Sequence, residues 1–278
     1  MNSDFVTKTH KKSCYIPGMD TQAYLSRIGY QGGLEPNLET LTALQRAHLL
    51  RVPFENLDIH LKIPVTLDPD AHYEKIVLRK RGGFCYELNG LFRQLLEAIG
   101  YDTILVSAKV YNFERGRFGP EFDHMAIIVE VGRELYLVDV GFGEFAFTPL
   151  VLDFQIDQPD PRGVFRMRTH DQEYLLVSKA EGLSEKAQYL FTIIPRKLRE
   201  FEGMCRYHQT SPGSHFTKKR LCSLPTENGR KTLTGNRFKI THGIGEIEVD
   251  MENEVEVRGL LKREFGIELE MSSANGEL

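Results

Sequence analysis

The sequence predicts an α+β fold on three observations. Apolar residues recur at helical spacing over residues 20–100, they alternate from Thr103 onward, and a closing helical stretch follows a run of short strands. In the first region Asp20 can cap a helix through Ile28. Leu38, Leu41 and Leu44 mark a second helix that Pro53 ends, and Asp70 can cap a third reaching Lys80. A fourth opens at Cys85, with Leu88, Phe92, Leu95, Leu96 and Ile99 on one face and Gly100 ending it. In the second region Ile104, Val106, Ala108 and Val110 share a face. Residues 124–131 and 134–140 read as two apolar strands joined by Gly132-Arg133, a two-residue turn with glycine first, as a type II′ hairpin wants. Residues 173–178 and 187–194 add strands to a mostly antiparallel, barrel-like sheet. Past Pro195, strands are expected near 221–224, 231–234, 237–241 and 246–251, then a helix carrying Val257, Leu260, Leu261 and Phe265. The Pro-rich stretch 153–162 reads as a surface connection, and residues 1–18 as a tail.

Composition narrows the function classes. A chain of 278 residues can bury a substantial core. Its formal charge of −4, with no basic run beyond Lys218-Lys219-Arg220, argues against nucleic acid as a partner. No apolar stretch approaches a membrane span, and T-K-T-H-K-K at 7–12 lacks the apolar core of a signal peptide, so a cytoplasmic protein is expected. Cys14, Cys85, Cys205 and Cys222 show neither C-x-x-C pairing nor zinc-ligand spacing, which predicts free thiols and no metal site.

Candidate chemistry sits at R-G-G-F-C-Y-E-L-N, residues 81–89. A cysteine in the first turn of a helix faces unpaired amide N–H groups and the positive end of the macrodipole, both of which favour a thiolate. Gly82 and Gly83 allow a sharp turn and close approach of a ligand. A thiol nucleophile needs a base, and the hairpin register supplies one. If Val131 pairs with Glu134, paired positions place Ala126 opposite Asp139, and His124 becomes a diagonal neighbour of Asp139 on the same face. The carboxylate can then hold one imidazole nitrogen while the other takes a proton. Asp123, next to His124 in the strand, is expected to point the other way.

These residues resemble a known family. R-G-G-F-C-Y-E-L-N at 81–89, D-H-M at 123–125 and V-D-V-G-F-G at 138–143 match, in order, the three motifs of the arylamine N-acetyltransferases of bacterial type. Y-L-S-R-I-G-Y at 24–30, P-F-E-N-L at 53–57 and Y-H-Q-T-S-P-G-S-H-F at 207–216 extend the likeness over residues 20–269. The resemblance implies a helical domain carrying the nucleophile (19–102), a β-barrel domain carrying His and Asp (103–200) and an α/β lid (201–278), with a papain- or transglutaminase-like Cys-His-Asp core. It implies ping-pong transfer of acetyl from acetyl-CoA, a cosubstrate rather than a tightly bound cofactor, to an arylamine, arylhydrazine or hydrazide, in a monomer or homodimer. By the same resemblance Cys85 is the nucleophile, His124 the base and Asp139 its orienting partner. Phe142 and Phe54 fall in the acceptor pocket, with Phe54 also a structural aromatic, and Arg81 braces the motif. Tyr207, Ser214 and Gly119 fall where coenzyme A is held, although Gly213 stands where some relatives carry a hydroxyl. An amide synthase of secondary metabolism, or a cysteine hydrolase or transglutaminase-like enzyme, would use the same triad.

Overall fold

The structure, a computed structural model, describes residues 19–181, 184–243 and 245–269; the tail expected over residues 1–18 lies outside them. Helix α1, Thr21–Ile28, starts where Asp20 accepts a hydrogen bond from the Ala23 N–H at 3.1 Å. Asn37 caps α2, Leu38–Arg51, in the same way. A short β1, Phe54–Glu55, and α3, Leu57–Leu61, follow. The next helix departs from expectation at both ends. Its cap is Asp68 rather than Asp70, because Pro69 occupies the first helical position, where a missing N–H costs nothing. After α4, Pro69–Tyr73, the backbone widens into a π-helical turn, Glu74–Leu78, and stops short of Lys80. Helix α5, Cys85–Ile99, begins at the cysteine and ends on Gly100 in the left-handed region, both as read from the sequence.

Nine strands form an antiparallel, nearly closed barrel: β2 (Asp102–Asn112), β3 (Arg117–Phe118), β4 (His124–Val131), β5 (Glu134–Val138), β6 (Leu150–Val151), β7 (Gln158–Asp160), β8 (Gly163–Thr169), β9 (Leu175–Glu181) and β10 (Ser184–Phe191). Their order is β6-β5-β4-β2-β10-β9-β8-β7, with β3 paired to the end of β2. The edge strands β6 and β7 meet through one side chain. The Gln158 amide accepts from the Val151 N–H at 2.8 Å and donates to the Val151 carbonyl at 2.9 Å, which continues the ladder where backbone pairing stops. Alternation then assigns each strand two duties. From β2 and β4, Val106, Ala108, Ala126 and Ile128 fill the barrel with Phe145, Phe165 and Tyr189. Their neighbours Leu105, Met125, Ile127 and Val129 pack outward with Leu88, Phe92, Leu95 and Leu96 of α5 in one core. Two-faced burial is why 124–131 reads as a continuous apolar run.

Expectation missed part of this sheet. Strand β7 lies inside the stretch that the sequence reads as a surface connection, and β8 falls where no strand is expected, although Phe165 and Met167 alternate there with Arg166 and Arg168. Strand β7 is three residues with a proline in it, tolerable at a sheet edge and too short to show a period. Strands β9 and β10 also sit off the expected ranges. A second sheet, β1-β11-β12-β13-β14, takes β11 (Leu221–Thr226), β12 (Gly229–Thr234), β13 (Arg237–His242) and β14 (Gly245–Asp250). Helix α7, Glu254–Phe265, buries Val257, Leu260, Leu261 and Phe265 against it. In chain order α6, Glu202–Thr210, falls between β10 of the first sheet and β11 of the second. Among the described residues no helix is long and apolar enough to cross a membrane.

Candidate active site

The glycine pair ahead of Cys85 is there for proximity. Neither Gly82 nor Gly83 has a positive φ. A Cβ on Gly82 would stand 2.2 Å from the Pro53 carbonyl oxygen, because the loop runs beside β1: the Gly83 carbonyl accepts from the Glu55 N–H at 2.9 Å and the Gly83 N–H donates to the Pro53 carbonyl at 3.2 Å. Under this loop lies a buried ionic network. Arg81 donates to Glu55 at 2.7 Å and to Asp58 at 2.8 Å; Lys75 reaches Asp58 at 2.7 Å and Glu87 at 2.9 Å. Burial alone would raise the Asp58 carboxyl, but Lys75 and Arg81 hold it below its usual range. Glu87 in turn accepts from the Phe84 N–H at 2.7 Å, a capping contact that fixes the residue before the nucleophile.

The hairpin behaves as its register predicts. Val131 pairs with Glu134 and Ile127 with Val138, and Gly132 has φ 68 while Arg133 stays out of the positive region, as in a type II′ turn. His124 Nε2 lies 2.6 Å from Asp139 Oδ2, with the two residues 2% and 0% exposed. A carboxylate only accepts, so Nε2 carries a proton, and in the neutral ring Nδ1 is then the nitrogen with the free lone pair. Asp139 also accepts from Tyr189 Oη at 3.1 Å, Asn89 Nδ2 at 2.9 Å, and the N–H groups of Gly141 and Phe142 at 2.9 and 3.0 Å. Asn89, one turn along α5 from Cys85, closes the arrangement by donating to the Met125 carbonyl and accepting from the Val140 N–H. Asn89 and Tyr189 were not singled out from the sequence. Asn89 stands inside the cysteine motif and was legible as a buried polar residue; Tyr189 is 50 residues from its partner and carries no local sign.

Cys85 itself is buried, and burial pushes its thiol well up; Cys205, Asp139 and Asp123 add to the rise, and the Tyr86 backbone amide opposes it. The helix start therefore does not ionise this thiol unaided. A thiolate here depends on a protonated imidazole beside it.

Cys85, His124, Phe142 and Phe54 share a cavity of about 360 Å³, walled also by Val110, Phe216 and, from β12, Arg230. The Phe142 ring meets His124 edge-on at 5.4 Å and Tyr189 at 5.1 Å. Phe54 packs on Phe84 and Phe216 at 5.5 and 6.0 Å, so it serves wall and core together. At the mouth, Arg230 and Arg162 both donate to the Gly143 carbonyl, and Glu144 is held below its usual range by Arg230, Arg162 and Lys179 against the effect of burial. None of this rim was anticipated. Tyr207 is exposed, Ser214 is buried with its hydroxyl accepting from the Phe216 N–H at 3.2 Å, and a Cβ on Gly119 would meet the Asp123 carboxylate at 2.5 Å. Asp123 was expected on the opposite face from His124, yet both open on the same cavity, because β4 begins only at His124 and strand alternation does not govern the residue before it.

A cysteine on a helix start and an Asp-oriented histidine on a barrel strand, facing one cavity, define the class of thiol enzymes. The family model described as N-acetyltransferase matches residues 37–274. The chain is 35% identical to the arylamine N-acetyltransferase pineal gland isozyme NAT-10 of Gallus gallus, over 91% of this chain and 95% of that one. It superposes on the arylamine N-acetyltransferase of Salmonella typhimurium with a TM-score of 0.84 at 28% identity, covering 92% and 94% of the two chains. Against the Mycobacterium marinum arylamine N-acetyltransferase in complex with CoA the TM-score is 0.81 at 29% identity, covering 89% and 93%. The chain belongs to the arylamine N-acetyltransferase family.

Proposed function

We propose that this cavity transfers acetyl from acetyl-CoA to the nitrogen of an arylamine, arylhydrazine or hydrazide by way of a Cys85 thioester. The observation that carries the reading is the 2.6 Å contact between His124 and Asp139 at the wall of the cavity that Cys85 enters. In the first half-reaction the Cys85 thiol gives its proton to His124 Nδ1, and sulfur attacks the thioester carbonyl. The carbon–sulfur bond to CoA breaks, the imidazolium returns a proton to the leaving thiolate, and the acetyl group stays on Cys85. In the second, neutral His124 takes a proton as the amine attacks, and the Cys85 sulfur leaves. Asp139, saturated with donors, holds the imidazole tautomer throughout. Phe142 and Phe54 supply apolar ring surface for a flat acceptor, which favours amine over water.

For coenzyme A, exposed Tyr207 and the backbone at Gly119 are the contacts we favour, while Ser214 contributes by shaping the turn after α6. The family likeness supports a cytoplasmic enzyme divided at 19–102, 103–200 and 201–278; the barrel interior and the last sheet each have a core, while the core of the helical part also takes side chains from β2, β4 and α6. Initial rates with acetyl-CoA and an aniline or hydrazide test the reading. Parallel double-reciprocal lines are the expected result. Intersecting lines would mean direct transfer in a ternary complex, and fast CoA release indifferent to amine would mean a thioesterase.

A further inference from the structure

Asp123, on the cavity wall, makes a second carboxylate–imidazole contact that the mechanism above leaves unused. His208 Nε2, on α6, lies 3.2 Å from Asp123 Oδ1. The contact falls within ion-pair distance but lacks hydrogen-bond geometry. Phe84 and Phe216 meet the imidazole edge-on at 5.8 and 5.2 Å, and its Nδ1 lies 3.3 Å from Ser214 Oγ. Only 2% of His208 is exposed.

Three features bear on its charge. His208 sits in the last turn of α6, where helix carbonyls favour a cation. Among the described residues no hydrogen-bond donor reaches the Asp123 side-chain carboxylate, whereas five reach that of Asp139, and the ring in contact with it is His208. The chain also goes to some length to place that carboxylate: Phe122 has φ 65, a left-handed conformation unusual for an aromatic residue, and residue 119 is a glycine where any Cβ would strike Asp123. The titratable groups facing His208 are Asp123 from the approach to β4, His215 from the turn after α6, Tyr86 from α5 and Tyr207 on its own helix. Those acting on Cys85 are Cys205, Asp139 and Asp123.

We propose that His208 is a positioning residue, the protonated partner of Asp123, and that this second pair keeps the wall beside Cys85 electrically neutral. Without it, Asp123 opposes the thiolate that must form in the first half-reaction. The inference rests on Cys85 being the nucleophile.

The test is a variant cycle read by the rate of Cys85 alkylation with iodoacetamide across pH, the site mapped by mass. His208→Gln leaves Asp123 uncompensated and raises the midpoint of the profile by about one pH unit, roughly a tenfold slower reaction below the midpoint. Adding Asp123→Asn removes the stranded charge and returns the midpoint to the wild-type value, a rescue that a packing role for His208 would not give. An unchanged midpoint in His208→Gln, or a double variant that stays shifted, overturns the proposal. Should His208→Gln fail to fold, Asp123→Asn alone decides: its midpoint stays at or below that of the wild type, and a rise overturns the pair. Acetylation of wild-type Cys85 by acetyl-CoA is scored separately. Its absence with the cycle intact would sink the transferase reading and spare the pair.

Discussion

Asp139 accepts from five donors, His124, Tyr189, Asn89 and the N–H groups of Gly141 and Phe142, and that saturation makes its charge the fixed point of the site. An amide in its place would turn donors toward donors. Asp139→Asn should therefore fold yet lose activity by about 10³–10⁴-fold, since the imidazole loses the partner that selects its tautomer. A steady-state assay beside a thermal melt checks this, and a folded, fully active variant would refute it. Phe142 contacts His124 only through ring edges. Phe142→Ala should weaken arylamine use by about 0.5–1.5 kcal/mol beyond lost area, with acetylation of Cys85 by acetyl-CoA nearly unchanged. Equal loss in both half-reactions would make it a structural residue instead. Cys85, His124 and Asp139 were legible because a helix start and a hairpin register are local patterns. Tyr189 and His208 were not, since each meets its carboxylate only after distant strands and helices pack.

At the scale of elements, the glycine loop and the ionic network beneath it hold the start of α5. Removing one member of a buried pair strands the other. Arg81→Met should lower stability by about 3–5 kcal/mol, seen as a fall in the urea midpoint with little change in slope, because Glu55 and Asp58 lose the guanidinium they share. The pH dependence has a definite sign. The folded-state value of Asp58 is depressed, so its contribution is fully present above the unfolded carboxylate value of about 3.9 and is lost as pH falls through the folded value. Acid titration of the melting temperature should show this loss in the wild type and a weaker one in Arg81→Met. Helix caps at Asp20 and Gly100 were readable from residue type alone. The π-helical turn and strand β7 were not: one is a change of hydrogen-bond pitch with no compositional mark, the other too short for a period.

Across the whole molecule, one cavity is assembled from three places: Cys85 from the helical part, His124 and Phe142 from the barrel, Phe216 and Arg230 from the C-terminal region. Alternation in the sequence showed that sheets follow the helices. It did not show that the barrel nearly closes, because the closure runs through a side-chain amide, Gln158 on Val151, and leaves no trace in hydropathy. Nor did it show that β1, from the helical region, joins the last sheet, a pairing of residues far apart in the chain. The central claim is that Cys85 carries the acetyl group between two substrates. Intact mass spectrometry after mixing the protein with acetyl-CoA in the absence of amine tests it most directly, with peptide mapping of the product. One added acetyl group on Cys85, discharged when an arylamine is supplied, is the predicted result; an unmodified protein, or acetyl on Cys205 or Cys222 with Cys85 untouched, would contradict it.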